Sequence, residues 1–131
     1  MHLLGWNEKK YLIGFTVMAA FVLLMFHPGA ANAHVPKEIS LAHDMQTQML
    51  QATITHTNFS ANHYIYKVEI RKNGNLVSLQ EYKSQPSETF TYDYNIMGAA
   101  GDLIEVKAYC SRFGSRSASL TVGQSGKPAA K

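Results

Sequence analysis

Beyond residue 33 the chain alternates with a period of two, which narrows its choice of fold more than any other feature. Leu50, Ala52, Ile54 and His56 alternate with Gln51, Thr53 and Thr55. Tyr64, Tyr66, Val68 and Ile70 alternate with Ile65, Lys67, Glu69 and Arg71. The same pattern recurs at Phe90, Tyr92, Tyr94 and Ile96, at Ile104, Val106, Ala108 and Cys110, and at Ala118, Leu120 and Val122. Successive side chains of a strand point to opposite faces, so each run reads as a strand with one apolar face to cover. Asn73-Gly74 is a tight-turn signal before a further run over 76–82, because such turns need residues that accept positive φ. Gln85-Pro86-Ser87 and Ala100-Gly101-Asp102 are weaker turn signals. With a first strand near 38–45, these runs predict an all-β domain over 34–123, a seven-stranded immunoglobulin-like β-sandwich. Each large apolar side chain buried contributes about 1.5–3 kcal/mol, so the inward rows can hold such a domain without a disulfide. Residues 124–131 carry no apolar pattern and are expected to be disordered.

The first 33 residues have a different character. Lys9 and Lys10 precede an apolar run from Tyr11 to Phe26, then Pro28-Gly29 and Ala31-Asn32-Ala33. A positive segment, an apolar segment and a small-residue cleavage site make residues 1–33 a signal peptide. The apolar run is shorter than the ~20 residues of a usual membrane span. The expected location is therefore periplasmic or secreted, with no membrane contact after cleavage; an uncleaved segment would instead anchor the domain.

Charge identifies no partner. The formal net charge of +3 falls to +2 once Lys9, Lys10 and Glu8 are removed. The remaining charges are scattered, which excludes the basic footprint of a nucleic-acid-binding domain.

The chain has one cysteine, Cys110, so no intramolecular disulfide can form. A free thiol in an oxidising compartment calls for a reason: a metal bond, reactivity or burial. If successive strands run antiparallel, His34 precedes the first strand, His56 ends the second, His63 begins the third and Cys110 ends the sixth. All four then fall at one end, and His43 falls at the other. Three imidazoles and a thiolate form a metal-binding set suited to iron, copper or zinc. Against this stands the plainer reading of Cys110 as a small core hydrophobe and the histidines as polar loop residues.

At these residues the chain resembles a known family. His34-Val35-Pro36, His56 with His63-Tyr64-Ile65, and Ala108-Tyr109-Cys110 followed by Gly114 resemble the iron domain of superoxide reductases (neelaredoxin and desulfoferrodoxin) over about residues 34–122. The resemblance implies one iron held by histidines and a cysteine, with His34, His56, His63 and Cys110 as ligands. It also implies one-electron reduction of superoxide to hydrogen peroxide and an external electron-donor protein. The chain departs from the family at Phe113, where a further ligand histidine is usual, and at Asn32 and Ala33, which replace a Glu and a Lys. The two middle histidines are also one residue further apart than usual. Residues 63–106 resemble in addition the sulfur-carrying subunits of thiosulfate oxidation. These departures keep a non-catalytic metal-binding or carrier module, and a plain interaction domain, as alternatives; a homo-oligomer stays open. Cleavage after Ala33 would give His34 a free α-amine, an amine–imidazole brace suited to copper.

Overall fold

The structure is a computed structural model that describes residues 34–124 and 129–130. The signal peptide expected over 1–33 lies outside the described residues. Seven strands appear where the alternation placed them: β1 (Glu38–Asp44), β2 (Met49–Thr55), β3 (Ile65–Lys72), β4 (Asn75–Glu81), β5 (Thr89–Asn95), β6 (Leu103–Cys110) and β7 (Ser115–Thr121). An eighth, β8 (Ala129–Ala130), adds to β7 within the tail, through the pairs Ala118↔Ala130 and Ser119↔Ala129. Every pairing is antiparallel, and no helix occurs among the described residues.

The strands form two sheets, one in the order β1-β2-β5 and one in the order β4-β3-β6-β7-β8. In the constant-type immunoglobulin order the fourth strand joins the sheet of the first two; here β4 pairs with β3 instead. Leu50, Ala52 and Ile54 of one sheet and Val68, Ile70, Ile104, Val106 and Ala108 of the other are fully buried in a shared core. On the outer face of the smaller sheet, the hydroxyls of Thr53 and Thr91 meet at 2.8 Å and those of Thr55 and Thr89 at 3.0 Å. At the β4/β5 side, Tyr82 stacks on Tyr92 at 4.2 Å, and the Tyr82 and Tyr94 hydroxyls lie 2.9 Å apart.

The Asn73-Gly74 turn is present as expected, with φ of 51° and 84°, the left-handed pair that a two-residue hairpin requires. One inward row differs from the sequence pattern. Tyr64 and Tyr66 were expected to point inward with Val68 and Ile70, but both are only half-buried, and Ile65 is fully buried. The cause is a β-bulge: the β3–β6 register passes from Ile65↔Cys110 to Lys67↔Tyr109, leaving Tyr66 as the extra residue. A bulge shifts the parity of its strand, so Ile65 and Val68 both face the core. The bulge also sets Ile65 directly beside Cys110.

Candidate metal centre

Three chain segments meet at the end of the sandwich where β2 and β6 finish and β3 begins. His56 follows β2 and Cys110 closes β6. His63 precedes β3, held by a two-residue bridge to Ser60 with N–H···O distances of 2.8 and 3.0 Å. Asn58 has φ of 57°, a left-handed conformation that asparagine tolerates, within the 57–62 loop that joins these histidines. Two loops are stitched together here. The Tyr64 amide donates to the Ser111 hydroxyl at 3.1 Å, the Ser111 amide to the Tyr64 carbonyl at 2.8 Å, and Arg112 Nη2 to Asn62 Oδ1 at 3.2 Å.

His34 arrives on a segment that is fixed separately. Arg116 Nε donates to the Pro36 carbonyl at 2.6 Å, and the Lys37 amide to the Thr55 carbonyl at 2.7 Å. Gly114, with φ of 93°, lets Val35 approach so closely that an added Cβ would lie 2.8 Å from Val35 Cγ2.

The donor atoms of His56, His63 and Cys110 all lie within 4.8 Å of one another. These residues are 1, 5 and 4 % exposed. His34 stands beside this trio, with its Nδ1 3.2 Å from His63 Nε2. The ring centroids of His34 and His56 each lie 4.7 Å from that of His63. His43 is at the far end, its Nε2 2.8 Å from the Ile96 carbonyl, so the structure brings together the four residues expected at one end and leaves out the one excluded.

Hydrogen bonding decides which ring nitrogens are free. His63 Nδ1 lies 2.7 Å from the Asn58 carbonyl. A carbonyl only accepts, so Nδ1 carries the proton and the Nε2 lone pair faces the cluster. His56 Nδ1 lies 2.8 Å from Gln85 Oε1. The Gln85 amide is oriented by its Nε2, which donates to the His56 and Ser87 carbonyls at 2.9 and 2.6 Å. His56 Nδ1 is therefore also the protonated nitrogen. Its Nε2 is buried with no hydrogen-bond partner. Leaving such an atom unpaired costs about 1–3 kcal/mol. Burial holds the His56 imidazole below its ordinary pKa, opposed in part by the Gln85 hydrogen bond. The buried Cys110 sulfur accepts from the Arg112 amide at 3.5 Å.

Two imidazole nitrogens and a sulfur, with an unpartnered buried lone pair among them, can hold a metal ion. The donors suit iron, copper or zinc better than magnesium or calcium, which prefer oxygen. Phe113, at the position where a further histidine was looked for, is 81 % exposed. Sequence reasoning missed Gln85, which reads as the first residue of a turn yet is 6 % exposed and bonded to the cluster. It also missed the Asn58 carbonyl, since a backbone acceptor carries no residue-type signal.

No family model, curated protein or solved structure matches the chain.

Proposed function

We propose that this domain is a mononuclear metal protein of the superoxide-reductase kind, exported, with His56, His63 and Cys110 as ligands and His34 as the fourth. The observation that carries the reading is the buried, unpartnered Nε2 of His56 in a cluster of His56, His63 and Cys110 whose donor atoms lie within 4.8 Å of one another. Iron is favoured by the resemblance to superoxide reductases and is compatible with mixed imidazole and thiolate donors.

Bound iron would supply a one-electron couple, so that superoxide, one electron and two protons give hydrogen peroxide. The electron would come from an external donor protein. The chain's own residues hold and orient: Gln85 and the Asn58 carbonyl fix the two imidazoles, and the Arg112 amide donates to the sulfur.

A second reading, metal binding without turnover, is favoured by Phe113, which offers no donor at the position of the missing histidine. Anaerobic purification with metal analysis, followed by superoxide-consumption assays, separates the readings. Stoichiometric iron that is lost in Cys110→Ser, together with superoxide consumption, supports the first. Bound metal without consumption leaves the second. Trace metal unchanged by Cys110→Ser would sink both.

A further inference from the structure

We infer that Gln85 is the positioning residue of this metal centre, the group that commits His56 to bind through Nε2; the inference rests on the proposed centre. Gln85 comes from the β4–β5 connection and supplies none of the donor atoms. It is 6 % exposed, and all its side-chain hydrogen-bonding groups are engaged. Oε1 accepts from His56 Nδ1 at 2.8 Å and from the Ile65 amide at 3.2 Å. Nε2 donates to the His56 carbonyl at 2.9 Å and the Ser87 carbonyl at 2.6 Å.

Each contact constrains a different degree of freedom. The bonds to His56 grip one residue at both its ring and its backbone, fixing the side chain relative to its own main chain. The Ile65 amide belongs to the residue paired with Cys110, so the same amide oxygen ties the imidazole to the strand position beside the sulfur. The Ser87 contact anchors Gln85 in its own loop. A free neutral imidazole exchanges between two tautomers, and only the one with its proton on Nδ1 offers Nε2 to an ion. Gln85 selects that tautomer because its oxygen can only accept, while its NH2 is held away by two carbonyls. A partner of this kind on the far nitrogen of a metal-ligating histidine typically changes affinity by about 10–100-fold.

The test uses the full chain, with Co2+ as the probe. In the metal-free wild type, 15N NMR should show His56 as the Nδ1-protonated tautomer. Gln85→Leu should give a mixture and bind Co2+ about 10–100-fold more weakly. If Gln85→Leu does not fold, the metal-free wild type decides alone: a His56 ring protonated on Nε2 rather than Nδ1 overturns the inference. A folded Gln85→Leu with wild-type tautomer and affinity overturns it while leaving the metal centre standing. Failure of the wild type to bind Co2+ removes the metal centre itself, whatever the tautomer of His56.

Discussion

His34 Nδ1 lies 3.2 Å from His63 Nε2, although 29 positions separate the two residues in the chain. His63 Nδ1 is committed to the Asn58 carbonyl at 2.7 Å, so in the metal-free protein His34 donates its Nδ1 proton to His63. Two nitrogens that each lie about 2.0–2.1 Å from one ion stand about 3 Å apart, so this contact already has the spacing of two ligands on a shared centre.

Removing ligands should therefore produce graded losses. Cys110→Ser and His56→Ala should each weaken Co2+ binding by more than about 100-fold, beyond what loss of a supporting contact costs. His34→Ala should cost less, about 10–100-fold, because His34 stands beside the buried trio. Optical titration checks this, and the sulfur-to-cobalt charge-transfer band should vanish only in Cys110→Ser. A ranking that placed His34 above Cys110 would contradict the arrangement described.

The metal-free protein should lose stability in mild acid. His56 has its pKa lowered in the folded state, chiefly by burial, so between the folded and unfolded values the unfolded chain binds more protons. Its contribution is present above the unfolded value of about 6.5 and is lost as pH falls through the lower folded value. Urea midpoints should therefore fall as pH drops from 7 towards 5, and His56→Leu should flatten that slope. An unchanged slope would show that His56 is not the group responsible.

Two glycines separate backbone strain from packing. Gly101 and Gly114 have φ of 92° and 93°, but only Gly114 has a neighbour in the way, Val35 Cγ2 at 2.8 Å from an added Cβ. Gly101→Ala should cost about 1–2 kcal/mol from the left-handed backbone alone. Gly114→Ala should cost more and should also weaken Co2+ binding, because it displaces the segment that carries His34. Denaturation combined with metal titration reads both effects.

Phe113 is 81 % exposed, so Phe113→His should change stability by no more than about 0.5 kcal/mol. The added imidazole, three residues beyond Cys110, should tighten Co2+ binding. Equal or weaker binding would show that the loop cannot bring position 113 to the ion.

The strands were legible because alternation is a property of each strand by itself: β2 and β6 bury the rows their sequences show, and β5 and β7 bury theirs except for the half-buried Tyr92 and Leu120. β3 was misread at its start, because a bulge at Tyr66 is a relation between two strands and leaves no mark in either one alone. His56, His63 and Cys110 could be placed together from strand direction and parity. The contacts that make them a site could not. Gln85 lies beside a proline in what reads as a turn, and its burial depends on β2 and β3 closing around it. The Asn58 carbonyl would exist whatever residue stood there.

The donors come from the end of β2, the approach to β3 and the end of β6, so the centre does not exist until those strands have paired. With an ion bound there, metal occupancy would be a measure of the folded population, and ion concentration a control on it. An ion that binds only the folded form adds about 2.7 kcal/mol at a hundredfold excess over its Kd. A chain of this design would therefore gain much of its final stability only where the ion is available.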